Sequence, residues 1–161
     1  MKMGIAMILA TIVLVARTGL AQDTSKKDDA EARKELASLQ GSWQTVEREY
    51  LGKKATKEEL EMLKGEMVIK DNTVTRWVVE PKERVLASEA TIKIHPTAKP
   101  KALDLTFTKG PVKGTVLAIY ELTGNSLRVC CSLEEDGKRP TEFAGKRDGK
   151  ALLMVYKRVK P

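Results

Sequence analysis

The sequence predicts an all-β protein in which eight strands close into an up-and-down antiparallel barrel, with short N-terminal and lid helices. Eight short runs with strand-like patterns follow one another at hairpin spacing, and turn residues separate them. The first run opens on Gly41-Ser42-Trp43, and the last ends at Arg158, three residues before the C-terminus. Closure would remove the exposed strand edges that recruit other chains. A two-sheet sandwich is the alternative architecture.

Residues 1–21 have the pattern of a cleavable export signal. A basic start precedes an apolar run over 4–16, which is shorter than the about 20 residues that span a bilayer. Small residues lie three places and one place before Gln22, so we expect cleavage between Ala21 and Gln22. An uncleaved anchor is the alternative, because Arg17 directly after the apolar run is atypical. Cleavage predicts an exported bacterial protein, periplasmic or extracellular, without stable membrane insertion.

The mature chain has the length of one domain and is mildly basic. Without Lys2 and Arg17 of the signal, 27 Lys and Arg stand against 22 Asp and Glu, a net charge of +5. Basic and acidic residues are interspersed, and no run alternates basic residues with the aromatic residues that stack on bases. Nucleic acid is therefore not an expected partner, and a solvated, soluble surface is the simpler interpretation.

Two short helices are expected around the first strand. Residues 22–37 form a charged lead-in that is flexible or a frayed helix, and helical composition over 32–40 predicts a short helix covering one end of the domain. The barrel domain is expected over 38–161. Thr56 and Glu59 have the spacing of a capping box, which predicts a second helix that acts as a lid or fills a corner.

Each predicted strand lies between turn residues. The first breaks strict alternation between Trp43 and Tyr50, which indicates a β-bulge. Leu103, Leu105 and Phe107 alternate with polar residues, so one face of that strand is buried. In order, the predicted strands cover residues 42–50, 66–70, 73–80, 85–95, 102–108, 115–122, 126–132 and 151–158.

Cys130 and Cys131 are adjacent, which argues against a disulfide between them. Neighbouring Cα atoms lie about 3.8 Å apart, closer than the about 4.4 to 6.8 Å usual for a disulfide. In a strand the two side chains point to opposite faces, and parity with Leu127 and Val129 places Cys131 inside and Cys130 outside. We expect two free thiols, with an intermolecular disulfide through Cys130 as the alternative.

The chain resembles a known family at both ends of the predicted barrel. Gly41, Trp43 and Arg158 look like the signature of the lipocalins and their calycin relatives, in which the tryptophan plugs the barrel floor and the arginine packs across its ring. Such a contact is worth about 0.5 to 2 kcal/mol. The chain is more closely similar to a lipocalin-like domain family abundant in planctomycete bacteria, a resemblance that implies the barrel and lends no catalytic residues. The similar segments are 39–43, 95–106, 114–122, 126–127 and 139–143.

The sequence gives no reason to expect an enzyme, a metal site or a cofactor. His95 is the single histidine, and it precedes Pro96 at a strand end, a position typical of a turn rather than of a catalytic dyad. The two adjacent cysteines and one histidine lack metal-ligand spacing. Residues 134–137 are acidic but lack the spacing of a calcium loop.

Four large side chains are candidates for the interior wall, where they would contact a ligand: Trp77, Phe107, Tyr120 and Met154. Core packing is the alternative for each, because an eight-stranded barrel is only just wide enough for side chains or one small ligand.

Arg139 and Glu142 are the candidate polar binding residues. They flank Pro140 in the long loop over 133–150 and lie beside Phe143. One interpretation is a pair at the barrel mouth that binds a polar ligand. The other, which we favour, is an ion pair that braces the loop.

The predicted function is therefore an exported, non-enzymatic binding module that holds a small apolar or amphipathic ligand in its barrel. The alternative is a filled barrel that acts through its surface and loops as an interaction or envelope-structural domain, and an enzyme comes third. A cavity of about 300 Å³ or more would favour the first function, and a solid core the second.

Overall fold

A computed structural model describes residues 20–62, 65–79, 84–134 and 137–159 of the chain. The predicted export signal lies almost wholly outside these residues. No helix in the described part of the chain has the length and apolar character needed to cross a membrane.

The strands form one closed antiparallel barrel, as the sequence predicts. They are β1 (Gly41–Tyr50), β2 (Lys53–Lys54), β3 (Gly65–Lys70), β4 (Thr73–Val79), β5 (Arg84–His95), β6 (Ala102–Lys109), β7 (Thr115–Thr123), β8 (Ser126–Ser132) and β9 (Ala151–Arg158). The two-residue β2 only extends β1 as a hairpin. The other eight pair in the order of the chain from β1 to β9, and β9 pairs back onto β1. This closure excludes the sandwich.

The predicted bulge lies in the first strand. The register of β1 against β9 shifts between Thr45 and Glu47, which leaves Val46 as the extra residue. The insertion changes the parity of the strand, and this accounts for the loss of strict alternation between Trp43 and Tyr50.

Helix α1 (Leu20–Leu39) closes one end of the barrel. It is longer than the predicted helix over 32–40 and continues through the charged segment described above as flexible or frayed, where Ala, Lys, Glu and Arg all have high helix propensity. Leu36 and Leu39 pack against the barrel core. An ion pair of 2.7 Å between Glu35 and Lys101 joins the helix to the segment just before β6.

Helix α2 (Lys57–Met62) begins with the predicted capping box. The backbone N–H of Glu59 donates to Thr56 Oγ1 at 3.2 Å, and the backbone N–H of Thr56 donates to Glu59 Oε2 at 2.8 Å. None of its residues is buried. The helix therefore lies on the surface beside β1 rather than filling the core.

Apolar side chains cover the barrel wall on both sides over β7, β8 and β9. The inner cluster contains Trp43 and Tyr120. The outer cluster contains Ile119, Cys130, Ala151 and Leu153, and Phe143 of the long loop packs against it. The loop after β8 thus folds back over the outer surface of the sheet.

Candidate ligand-binding site

Trp43 and Arg158 form the closed end of the barrel. Trp43 is 0% exposed, and its indole N–H donates to the Leu39 carbonyl at 3.0 Å. The guanidinium of Arg158 lies over the indole ring and donates to the backbone carbonyls of Gln40 and Ser38. The floor is therefore fixed by contacts among α1, β1 and β9.

Gly41 gives Arg158 the space to reach these carbonyls. Its φ is +116°, and a Cβ at this position would lie 3.1 Å from Arg158 Nη1. A side chain here would be strained by the backbone conformation and crowded by the guanidinium.

A cavity of about 660 Å³ opens at the other end of the barrel. The interior is therefore not a solid core. Apolar side chains make up most of the wall, and the turn between β6 and β7 forms part of the mouth. The apolar lining residues include Met67, Val74, Leu105, Val129, Leu152 and Met154.

Polar residues also line this cavity, among them Arg76, Ser88, Cys131 and Tyr156. Burial raises the pKa of the Tyr156 hydroxyl to about 12, although the nearby charge of Arg76 acts to lower it. Burial also raises the pKa of the Cys131 thiol to about 12, again against the effect of Arg76. Both groups are therefore neutral hydrogen-bond donors at pH 7.

The charge of Arg76 is not neutralised by a carboxylate in the described part of the chain. Among the described residues of the cavity wall, Glu134 is the acidic one, and its carboxylate forms an ion pair with Lys150 at 2.9 Å. Lys113 at the mouth adds a second positive charge. The cavity thus combines an apolar wall with an excess of positive charge.

The structure places two of the four predicted wall residues at the cavity. Phe107 and Met154 line the cavity. Tyr120 faces inward but is buried in the core, where burial and the charge of Glu35 raise the pKa of its hydroxyl.

The prediction for Trp77 is wrong. Trp77 pairs with Glu66 of β3, whereas its neighbour Arg76 pairs with the cavity residue Met67. Because successive side chains of a strand point to opposite faces, Trp77 lies on the outer face of β4 and Arg76 on the inner face.

Arg139 and Glu142 do not form the predicted pair, nor do they lie at the cavity wall. Arg139 donates to Asp104 Oδ1 at 2.5 Å and to the Leu103 and Ala118 carbonyls at 2.8 and 2.6 Å. Glu142 instead makes a surface ion pair with Lys146 at 3.4 Å. Arg139 does brace the loop, but its partners are on β6 and β7.

The Asp104 carboxylate also makes a hydrogen bond with His95, so these two residues and Arg139 form one cluster on the outer surface. The distance between His95 Nε2 and Asp104 Oδ2 is 2.8 Å. Burial acts to raise the pKa of Asp104, but the hydrogen bonds from Arg139 and His95 outweigh it and lower the pKa. The cluster borders a surface cleft of about 490 Å³. Its polar contacts join the loop to the barrel, which is a structural role.

The cysteines lie on opposite faces, as their parity predicts. Cys131 faces the cavity, and Cys130 is 0% exposed beneath the long loop, with its thiol 3.5 Å from the Ala144 carbonyl. Both are free thiols. Because Cys130 is covered, the intermolecular disulfide considered above would require the loop to open.

Sequence reasoning missed Arg76 and Tyr156 as cavity residues. The available signal was parity, because Arg76 shares its strand face with Val74, and Tyr156 shares its face with Met154. The prediction instead gave the inward position to the neighbouring residue Trp77. Among the described residues, no group of three or more His, Cys, Asp or Glu side chains is arranged to hold a metal ion.

Fold and site together define a closed eight-stranded antiparallel β-barrel with a plugged floor and a ligand-sized interior cavity. Comparisons of the chain with protein-family models, with curated proteins and with solved structures give no match.

Proposed function

We propose that this protein is an exported, non-enzymatic binding module that holds a small apolar or amphipathic ligand inside its barrel. The observation that carries the proposal is the cavity of about 660 Å³. Ligand pockets commonly have volumes of about 300 to 1,000 Å³ and predominantly apolar walls with a few polar groups. A filled barrel would leave no such space.

The driving force for binding is the apolar wall. Each Å² of apolar ligand surface removed from water contributes about 25 cal/mol before the costs of association. Residues such as Met67, Val129 and Met154 provide this surface. The hydrogen-bonded closed end around Trp43 keeps the cavity in place.

We further propose that the chain is a member of the lipocalin-like domain family that it resembles. The order of the strands and the stacking of Arg158 on Trp43 support this assignment. The pattern of residues 1–21 supports export to the bacterial envelope.

Titration with the uncharged fluorescent probe N-phenyl-1-naphthylamine tests binding. Ala90 is buried on the cavity wall, so Ala90→Phe places a ring inside the cavity, whereas Thr91→Phe adds the same ring to the exposed outer face of the same strand. We expect saturable binding, one probe per chain, to the mature wild type and to Thr91→Phe, and weaker binding to Ala90→Phe. Ser88→Phe is a second filling variant if Ala90→Phe does not fold.

Equal binding by wild type and by a folded filling variant would show that the probe lies elsewhere. Absence of binding to the folded wild type would contradict a ligand-binding barrel.

A further inference from the structure

Arg76 directs a positive charge into the barrel. It lies in the middle of β4, where it pairs with Met67 of β3 and Ser88 of β5. Both partners line the cavity, as Arg76 does. Because directly opposed residues of antiparallel strands share one face of the sheet, all three side chains project inward.

Two neutral donors lie within electrostatic reach of Arg76. Its charge acts on the pKa of the Tyr156 hydroxyl and on that of the Cys131 thiol. No residue in the described ranges makes a hydrogen bond to the Tyr156 hydroxyl or forms an ion pair with Arg76. The described part of the inner wall therefore has hydrogen-bond donors and a positive charge, but no unpaired carboxylate to match that charge.

A cation in a mainly apolar cavity is costly unless an anion accompanies it. The one described carboxylate on the wall, that of Glu134, is paired with Lys150. The planar guanidinium of arginine is suited to the oxygen atoms of carboxylate and phosphate groups, which it can contact through two parallel hydrogen bonds. A ligand with such a group would supply the missing partner.

We propose that the barrel binds an amphipathic anion whose carboxylate or phosphate head pairs with Arg76 and accepts a hydrogen bond from Tyr156, while its apolar tail occupies the rest of the cavity. This inference rests on the proposed binding function and adds the chemical class of the ligand. The positive charge of Lys113 at the mouth would favour entry of an anion.

Competition with the neutral probe separates the head group from the tail. Decanoate, decan-1-ol and decyl phosphate carry the same tail with different heads, and each is titrated against probe-loaded protein at neutral pH. Arg76→Gln removes the inner charge. Lys93→Gln removes an equal charge from the exposed outer face of β5 and is the matched control.

We expect decanoate or decyl phosphate to bind at least about tenfold more tightly than decan-1-ol in the wild type and in Lys93→Gln, because a hydrogen bond to a charged group has this strength. In Arg76→Gln the affinities for the anions and for decan-1-ol should lie within about twofold of each other. Arg76→Lys should retain part of the preference for the anions. Comparison of the affinities for decyl phosphate and decanoate then shows whether the site prefers a phosphate or a carboxylate head group.

Equal binding of decan-1-ol and both anions to the wild type would overturn the inference, as would an anion preference that persists in Arg76→Gln. Binding of the neutral probe would in either case leave the proposed binding function intact. Failure of the probe and of all three amphiphiles to bind folded wild type would overturn both. Probe binding by Arg76→Gln also verifies that this variant is folded.

Discussion

The guanidinium carbon of Arg158 lies 4.1 Å from the centroid of the Trp43 ring. The two residues are direct partners in the pairing of the first and last strands. Through Arg158, the carbonyls of Ser38 and Gln40 at the end of α1 join the same contact. One side chain thus connects the helix, the closure of the sheet and the barrel floor.

Replacing Trp43 with alanine should destabilise the protein by about 3 to 5 kcal/mol, because it empties the largest buried site in the core. Urea denaturation followed by circular dichroism measures the change. Trp77→Ala is the matched control and should cost less, since Trp77 is on the outer face and only partly buried. A Trp43→Ala variant as stable as the wild type would contradict the role of the indole as a plug.

Replacing Arg158 with lysine should cost about 1 to 3 kcal/mol although the charge is kept. Lysine cannot lie flat on the Trp43 ring and donate to the Ser38 and Gln40 carbonyls at once. Thermal unfolding of Arg158→Lys beside the exposed control Lys157→Arg measures the difference. Equal melting temperatures for Arg158→Lys and the wild type would show that the guanidinium geometry contributes nothing.

The Asp104 cluster should make the stability of the protein depend on pH. The pKa of the Asp104 carboxyl group is lowered in the folded state. The contribution of this carboxylate to the free energy of unfolding is therefore fully present above the ordinary aspartate pKa, and it is lost as the pH falls through the folded-state pKa. The advantage of the wild type over Asp104→Asn, about 1 to 3 kcal/mol at pH 7, should therefore shrink in acid. Urea titrations of both proteins from neutral to acidic pH measure it, and a constant difference would refute the cluster's role.

Both thiols should react slowly in the native protein. Cys130 is 0% exposed, and burial raises the pKa of Cys131 to about 12, so little thiolate is present at pH 8. A chromogenic disulfide reagent should label two thiols per chain rapidly in guanidinium chloride and only slowly without it. Rapid labelling of the native protein, or a covalent dimer on non-reducing gels, would contradict this placement.

Local patterns were sufficient to predict the barrel. Alternation at Leu103, Leu105 and Phe107 identified a buried strand face, and the lost alternation after Trp43 identified a real bulge. The capping box at Thr56 was equally readable, because all its contacts lie within three residues.

The inward position of Arg76 and the contacts of the long loop were not predicted from the sequence. Parity with Val74 places Arg76 on the inner face of β4, whereas the prediction from the sequence placed its neighbour Trp77 there. The contact of Arg139 with Asp104 joins residues 35 positions apart through an irregular loop. This contact has no local signal, since it depends on how distant segments meet in the folded chain.

Native mass spectrometry of the protein, purified gently from the cells that make it, tests the central proposal most directly. We expect a discrete mass above that of the chain, which is lost on denaturation and belongs to an amphipathic anion. The bare mass of the chain in every preparation, together with no binding of the neutral probe, would contradict the proposal and favour a barrel that acts through its outer surface.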